Sequence, residues 1–264
     1  MRNLKSLIWL ATLSLLLATP AHAETAEQRV ADAADVLDQL LRIPEKSIPP
    51  SLLSRAYAVA VVPDVVKAGF VVGARRGKGV LVVRQDDQSW SNPAFINLTG
   101  GSVGWQAGVE STDIILVFKS RKGVSDIANG KLTLGGDVSI AAGPVGRHAE
   151  IATDITFETE VMSYSRSRGL FAGIALEGSG ITMDRKSNRA FYSTKMSPEE
   201  IFASSPNIAP DIANTFVQIL TAQTRRLPTS PGMQTSTVSA PAAQAPAQRQ
   251  ESEVRTFGMP SGNE

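Results

Sequence analysis

The glycines of this chain are confined almost entirely to its middle. Of 21 glycines in 264 residues, none precedes Gly69, eighteen lie between Gly69 and Gly180, and three lie near the carboxyl end. Glycine weakens helices, and at short intervals in a strand region it is typical of bulges, tight corners and close backbone approach. The distribution therefore predicts a glycine-rich β region with helices on both sides.

The apolar residues of this middle region recur with the spacing of strands. Short uninterrupted runs are typical of strands buried on both faces, and they occur at Ala58–Val62, Phe70–Val72, Val80–Val83 and Ile114–Phe118. Alternating apolar pairs are typical of half-buried strands, and they occur at Leu132/Leu134, Val138/Ile140 and Ile155/Phe157. The connections are too short for repeated crossover helices. We therefore expect an α+β fold, with a glycine-rich, mainly antiparallel sheet or barrel-like core flanked by N-terminal and C-terminal helices.

The flanking segments carry helix signals. Thr25 and Gln28 have the spacing of a capping box, Ser51–Tyr57 suggests a short second helix, and Ser197-Pro-Glu-Glu200 is typical of a helix start. The first helix has an apolar face of Val30, Ala33, Ala34, Leu37, Leu40 and Leu41. A last helix, opened by Pro210, aligns Ile212, Phe216, Ile219 and Leu220. Residues 24–227 are therefore predicted to form one domain, with a helical lead-in at 24–57, a β-rich core at 58–192 and C-terminal helices at 197–227.

The two ends of the sequence differ from this domain. Arg2 and Lys5 precede an apolar run from Leu7 to Ala18, and Ala21-His22-Ala23 has the pattern of a signal-peptide cleavage site. The run is too short to cross about 30 Å of hydrocarbon as a helix, although an uncleaved anchor is the alternative. We expect residues 1–23 to be a signal peptide and the protein to be exported to the periplasm or cell envelope. Residues 228–264, rich in Pro, Ala, Gln and Ser, are expected to be a disordered tail.

Composition removes several classes of function. The chain has no cysteine, two histidines, and 26 basic against 25 acidic residues, for a formal net charge of +1. The lack of cysteine excludes a disulfide scaffold, a thiol nucleophile and a thiolate zinc site. The balanced charge argues against a nucleic-acid partner. We expect no metal, no cofactor and no enzymatic activity.

One catalytic alternative stays open. Gly100-Gly-Ser102-Val-Gly104 matches the nucleophile-elbow pattern, and Asp137 and His148 follow in the chain order of an α/β-hydrolase. The elbow needs a helix directly after the serine, whereas the glycine-rich sequence that follows is a poor helix start. Such a pattern also arises by chance in a glycine-rich segment. A serine hydrolase using Ser102 is therefore the remote alternative.

Positive charge clusters at predicted turns beside apolar residues. The candidate lipid-binding residues are Arg75, Arg76, Lys78, Arg166, Arg168, Leu170 and Phe171. The first three lie between two apolar strands and suggest a hairpin tip, and Arg185, Lys186 and Arg189 form a further cationic group. Arginine makes bidentate, charge-assisted bonds to phosphate, and an exposed apolar neighbour can enter the acyl boundary. The alternative is that these are solvated turns and that Leu170 and Phe171 belong to the core.

A series of ordered motifs extends across most of the predicted domain. In chain order they are Lys67-Ala-Gly69-Phe70, Gly77-Lys-Gly79, Trp90-Ser-Asn-Pro93, Gly100-Gly-Ser-Val-Gly104, Gln106…Gly108, Gly143-Pro-Val-Gly-Arg147, Tyr164-Ser-Arg-Ser-Arg-Gly-Leu-Phe-Ala-Gly173, Glu177-Gly178 and Asp184…Asn188…Tyr192. On these motifs the chain resembles the SYLF domain family from about Leu52 to Tyr192. The resemblance implies lipid binding and not catalysis. Eukaryotic members bind phosphoinositides, yeast members also bind actin, and bacterial members are exported envelope proteins.

Two departures limit what this resemblance carries over. Eukaryotic members have a basic, amphipathic N-terminal region that helps membrane contact, whereas an anionic surface would repel the first predicted helix here. That helix region carries Arg29 and Arg42 against Glu24, Glu27, Asp32, Asp35 and Asp38. Predicted export also separates the protein from actin and inositol lipids, so actin is not an expected partner. We expect the ligand to be a phospholipid or another anionic amphiphile, with a structural or protein-interaction role in the envelope as the alternative.

Overall fold

A computed structural model of the chain describes residues 24–42, 48–145, 159–167, 170–204 and 208–225. Several of the expectations above fall outside these ranges. They are the signal peptide at 1–23, the tail at 228–264, the strand at Ile155/Phe157, and Arg168 and His148. These stay predictions.

The described residues form six helices and seven strands. The helices are α1 Ala26–Arg42, α2 Pro50–Ser54, α3 Arg121–Asn129, α4 Arg185–Tyr192, α5 Pro198–Ala203 and α6 Asp211–Arg225. The strands are β1 Ala58–Val83, β2 Ala94–Phe118, β3 Lys131–Thr133, β4 Ile140–Ala142, β5 Val161–Ser167, β6 Leu170–Gly173 and β7 Gly180–Met183. Helices therefore lie at both ends of a β-rich middle, as the glycine distribution predicts.

Strand β2 is the centre of the sheet. β1 pairs along one of its edges, while β7 pairs with residues 96–99 and β5 with residues 113–118 of the other edge. β3 continues the sheet beyond β7, and β4 and β6 both pair with β5. All of these pairs are antiparallel except β4 with β5. The predicted α+β class, with a mainly antiparallel, barrel-like sheet and flanking helices, is confirmed.

The two longest strands, β1 and β2, contain 26 and 25 residues. The apolar runs predicted as separate strands at 58–62, 70–72 and 80–83 are consecutive parts of β1. The pairing register with β2 shifts between Val62 and Val65 and again between Gly69 and Val71. Irregularities of this kind bend a strand without ending it, so one bent strand replaces the several short ones expected.

The bend in β1 brings its two halves into contact. A β-carbon built on Gly79 would overlap the backbone carbonyl of Val61, and one built on Gly77 would lie 2.6 Å from a methyl carbon of Val65. A side chain at either position would push the two halves apart. Glycine at these two positions therefore permits the sheet to curl into a half-barrel.

The curled sheet separates two apolar layers. On its outer face, α1, α2 and α6, with parts of α4 and α5, pack over residues such as Val80 and Ile115. On its inner face, neighbouring residues such as Leu81 and Ile114 pack together and against α3. Because both layers draw on the same strands, those strands are apolar on both faces. The predicted burial of residues 58–62, 80–83 and 114–118 is confirmed.

The terminal helices begin where their capping residues predict. Thr25 accepts the backbone N–H of Gln28 at 3.0 Å, and Ser197 and Glu200 form a complete capping box. The buried residues on the predicted apolar faces of α1 and α6 include Val30, Ala33, Ala34, Leu37, Phe216 and Leu220. Helices α3 and α4 were not predicted, because at nine and eight residues they are too short to show a clear apolar period.

Candidate functional site

The three cations predicted for a hairpin tip lie within β1 instead. Arg75, Arg76 and Lys78 all pair with residues of β2, and the connection between the two strands comes later, at residues 84–93. The hairpin-tip prediction is wrong, because these residues are paired within a strand. The outer face of this part of β1 is open to solvent, so it can carry charged side chains. Cations can alternate with inward-facing residues there without any turn.

This alternation separates the three cations. Arg76 and Lys78 point to the outer face and are exposed. Arg75 points to the inner face, where it is half-buried and its guanidinium donates to a backbone carbonyl at 3.4 Å. Burial lowers the pKa of Arg75, and the charges of Glu110 and Glu177 oppose that effect. Arg75 therefore belongs to the interior of the curl and not to its outer surface.

Arg166 already has a partner inside the protein. Its guanidinium forms an ion pair with Asp113 of β2, with Nε 2.5 Å from Oδ2, and it also donates to the side chain of Gln39 in α1. The two charged side chains are only 16% and 10% exposed. The expectation that Arg166 grips phosphate is corrected, because a carboxylate occupies its guanidinium and α1 lies against it.

The apolar residues Leu170 and Phe171 face opposite sides of the sheet. Phe171 is 6% exposed and packs in the layer beneath the helices, whereas Leu170 is 54% exposed. Adjacent residues of a strand point to opposite faces, so the two cannot serve one surface. Phe171 is corrected to a core residue, and Leu170 stays accessible. The predicted site residues that the structure describes therefore do not all converge on one surface.

The serine pattern lies in the middle of β2. Ser102 pairs with Gly73 of β1, and β2 continues beyond it to Phe118 without a helix. Asp137 accepts the backbone N–H of Thr133 at 2.6 Å within the turn that follows β3. A nucleophile elbow needs a sharp strand-to-helix turn at the serine. The backbone at Ser102 contradicts that geometry.

An open part of the outer face, where β1, β2, β7 and β3 lie side by side, is the candidate site. Inward residues of these strands are buried, and outward ones are polar or glycine. The pairing register aligns across the four strands one row of Lys78, Asn97, Thr182 and Lys131 and a second row of Arg76, Thr99, Gly180 and Thr133. We call these two rows the basic sheet face.

The basic sheet face carries three cations and no carboxylate in its two rows. Outward residues two apart on a strand are about 6.6 Å apart, so Arg76 and Lys78 can reach one phosphate group together. Arg76 forms no hydrogen bond or ion pair with any residue that the structure describes. At the β3 edge, Lys131 borders a cavity shared with Asp126 and Asp137. The positive charge is therefore strongest along β1.

One carboxylate near Lys78 is engaged elsewhere. Asp184, at the start of α4, accepts the hydroxyl of Ser187 at 2.7 Å and lies 3.4 Å from the guanidinium of Arg29. Burial alone would raise the pKa of Asp184, but bonds from Ser187 and the charges of Arg29 and Lys78 bring it below its usual value. Arg29 is 1% exposed and lies over the ring of Phe95. This cluster fastens α1 to α4 beside the basic sheet face.

Motif residues on α4 fasten that helix to the start of β2. The side-chain oxygen of Asn188 accepts the N–H of Phe95 at 2.8 Å, and the amide nitrogen donates back to the carbonyl of Phe95. Tyr192 donates to the carbonyl of Pro93 at 2.7 Å, and burial raises the pKa of Tyr192. Asn188 and Tyr192 therefore stabilise the packing of α4 on β2, and their side chains are buried.

A cleft of about 430 Å³ lies between the β1–β2 connection, α3 and α5. Its two arginines have partners: Arg84 donates to three backbone carbonyls, and Arg121 donates to the hydroxyl of Tyr57 at 3.1 Å. Asp86 and Glu199 add two carboxylates to the lining. This cleft therefore presents no excess of positive charge to an anionic ligand.

Among the residues described, no group of three or more histidine or acidic side chains is arranged to hold a metal ion. Within the same ranges, no helix combines the length and the apolar content needed to cross a membrane.

The sequence prediction did not include four residues of the basic sheet face, namely Lys131, Asn97, Thr99 and Thr182. Their signal is visible in the sequence as polar residues that alternate with buried ones, as in Lys131-Leu-Thr133. It could not be used because the order of the strands, which aligns them, depends on contacts between distant segments.

The fold and this surface define a class of α+β domain, in which helices close one part of a curled, glycine-rich antiparallel sheet and leave another part open. The sequence profile of the Ysc84 family, described as "Las17-binding protein actin regulator", matches residues 99–223. The chain is 39% identical over 179 residues to Protein YSC84 of Saccharomyces cerevisiae, covering 67% of this chain and 38% of that one. The chain belongs to the SYLF (Ysc84) family.

Two further relatives agree with this assignment. The SH3 domain-containing YSC84-like protein 1 of Xenopus laevis is 40% identical over 166 residues, which cover 61% of this chain and 49% of the relative. LAS seventeen-binding protein 3 of Saccharomyces cerevisiae is 37% identical over 175 residues, which cover 65% and 38%. This chain thus spans half or less of the length of each of these three relatives.

Proposed function

We propose that this protein binds a phospholipid or another anionic amphiphile through the basic sheet face. The observation that carries the proposal is the pair of exposed cations, Arg76 and Lys78, on a sheet face whose two rows hold no carboxylate. Each cation near an anionic bilayer contributes on the order of 1 kcal/mol. Two or three cations acting together therefore predict modest binding that salt weakens.

The family supports a role in binding and not in catalysis. The family is described as a Las17-binding protein and actin regulator, and one relative is named LAS seventeen-binding protein 3, so both descriptions refer to binding. The strand geometry at Ser102 gives no support to the hydrolase alternative. We therefore propose a non-enzymatic binding protein.

We also propose that the protein acts in the periplasm or cell envelope after removal of residues 1–23. This proposal rests on the charged start, the short apolar run and the Ala21-His22-Ala23 pattern. N-terminal sequencing of the protein from an envelope fraction should find Glu24 as the first residue. A chain that begins at Met1 in the cytoplasmic fraction would contradict export.

Co-sedimentation with vesicles tests the lipid proposal. The purified protein is expected to sediment at low salt with vesicles that contain phosphatidylglycerol, and to be released at high salt because the contacts are between exposed charges. Vesicles of phosphatidylcholine alone should retain much less. Equal retention by both kinds of vesicle, or retention by neither, would contradict the proposal.

A double variant assigns the binding to the basic sheet face. Arg76→Gln combined with Lys78→Gln should weaken binding to anionic vesicles by about thirtyfold, since two contributions of about 1 kcal/mol are lost. The control is Arg55→Gln, which removes an exposed arginine at the end of α2 that belongs to neither row of the face. An equal loss of vesicle affinity in the double variant and the control would indicate a diffuse charge effect. That result would contradict the assignment of binding to the basic sheet face.

A protein partner is the second candidate, and the family description as a Las17-binding protein favours it. In the proposed compartment such a partner would be an envelope protein and not actin. Native mass spectrometry of gently purified protein separates the candidates. A bound mass that matches a phospholipid favours the first, and a bound polypeptide without lipid favours the second.

A further inference from the structure

A cavity of about 360 Å³ lies between α4, the turn that follows it and the start of α5. Its volume is within the range of sites for small molecules. The lining joins three cations, Arg185, Arg189 and Lys195, to two methionines, Met183 and Met196. The cavity therefore combines positive charge with an apolar wall, and we call it the α4–α5 pocket.

The cations of the α4–α5 pocket have no hydrogen-bond or ion-pair partner within the described ranges. Arg185 and Arg189 are one helical turn apart on α4, which places both side chains on the same side of the helix. Neither they nor Lys195 forms a hydrogen bond or ion pair with any residue in the described part of the chain. Glu200 is the one acidic residue in the lining, and its carboxylate accepts the backbone N–H of Ser197 at 2.6 Å. Three cations thus face one carboxylate that is already engaged.

The turn after α4 assembles this arrangement. Ser193 ends the helix in the left-handed conformation, with φ 53° and ψ 14°, which residues other than glycine adopt at a cost in free energy. The chain reverses there, so that Lys195 and Met196 join Arg185 in the same lining. The turn therefore accompanies a grouping of like charges, and the repulsion among those charges falls when an anion occupies the pocket.

We propose that the α4–α5 pocket binds a phosphomonoester that carries a short apolar group. Guanidinium groups make paired, charge-assisted bonds to phosphate oxygens, and a lysine adds a mobile third donor. Methionine side chains are flexible and polarizable, and they adapt to an apolar group of irregular shape. The site is separate from the basic sheet face, so it does not depend on vesicle binding.

Titration calorimetry on the full chain tests the proposal with hexyl phosphate, inorganic phosphate and hexanol. Hexyl phosphate is expected to bind most tightly, inorganic phosphate more weakly, and hexanol not at all. Equal affinity for hexyl phosphate and inorganic phosphate would overturn the apolar part of the proposal. Absence of hexyl phosphate binding would overturn the whole site, whatever the vesicle experiments show.

Variants locate the binding. Each of Arg185→Gln and Arg189→Gln should weaken hexyl phosphate binding by on the order of tenfold, the loss typical of a bond to a charged group. Lys186→Gln on the same helix is the matched control, because Lys186 is exposed but does not line the pocket. Since all three residues are exposed, each variant should fold. Full affinity in the two arginine variants, or an equal loss in the control, would overturn the assignment.

One competition experiment identifies the source of the phosphate group. If vesicles containing phosphatidic acid displace hexyl phosphate, the pocket takes a lipid headgroup. If they do not, it takes a soluble phosphomonoester. Both results keep the phosphate site, and the Arg76→Gln, Lys78→Gln double variant should leave hexyl phosphate affinity unchanged in either case. A loss in that variant equal to the loss in Arg185→Gln would overturn a separate site.

Discussion

The outer face of β2 passes from a covered region to an open one within a few residues. Phe95 is fully buried and meets the ring of Phe191 in α4 at a centroid distance of 5.0 Å. Thr99, two outward positions further along, is exposed in the basic sheet face. The inner face beneath both residues is apolar throughout, with Ile96 and Leu98 buried. The main difference at these two positions is therefore whether helices pack on the outside.

This difference teaches where the protein can meet a partner. In the covered region, both faces of the strands are used for the core. In the open region, one face still holds the inner layer together, and the other is free to carry charge without disturbing the fold. The open region can therefore change its outward side chains at little cost to stability, which is what a binding surface requires.

The strongest test of this contrast compares two alanine substitutions on the same face of β2. Phe95→Ala should lower the free energy of unfolding by about 4 kcal/mol, because it empties space under α4 and removes the contact beneath Arg29. Thr99→Ala should change it by less than about 0.5 kcal/mol. Urea denaturation of both variants measures the difference. Similar losses would show that the two regions are equally packed.

A second test compares two glycines. Gly79→Ala should destabilise the protein by about 3 kcal/mol, because its β-carbon would overlap the backbone of Val61 and force apart the two halves of β1. Gly101→Ala should have a much smaller effect, since a β-carbon there meets no atom within 4 Å. Thermal denaturation followed by circular dichroism checks the order of the two. A stable Gly79→Ala variant would contradict the tight curl.

The cluster at the border of the two regions should respond to pH. The pKa of Asp184 is lowered in the folded protein, so its charge stabilises the fold above the unfolded pKa near 3.8 and this contribution is lost as pH falls through the lower folded value. Asp184→Asn should cost about 1 kcal/mol at pH 7. The difference in free energy of unfolding between the variant and the wild type should become smaller at pH values below the unfolded pKa. A gap that stays constant with pH would show that the charge does not contribute.

The smallest expected effect concerns the open region itself. Arg76→Gln and Lys78→Gln should each change the free energy of unfolding by less than about 0.5 kcal/mol, because both side chains are exposed. Denaturation of the two variants checks this. A larger loss in either would mean that the cation supports the fold, and any loss of vesicle binding would then have a second explanation.

The contrast between the regions was only partly accessible from sequence. The two-sided apolar runs predict the covered region correctly, because burial on both faces leaves a continuous apolar signal at residues 58–62 and 114–118. The role of Arg166 was not accessible, since its partner Asp113 lies on another strand and Gln39 on a helix. The choice between surface and core for Phe171 was open for a related reason: alternation shows that Leu170 and Phe171 face opposite sides, but only the tertiary packing shows which side is covered.

The close approach of Gly79 to the backbone of Val61 has a consequence for how the proposed amphiphile would bind. At that level the inner face is filled by the protein's own side chains, and the backbone of one half of β1 touches the other. An acyl tail finds no room between them. Under the proposed function, the protein would therefore contact a headgroup from outside and leave the tail in its bilayer, in the manner of a peripheral anchor and not of a carrier that extracts lipid.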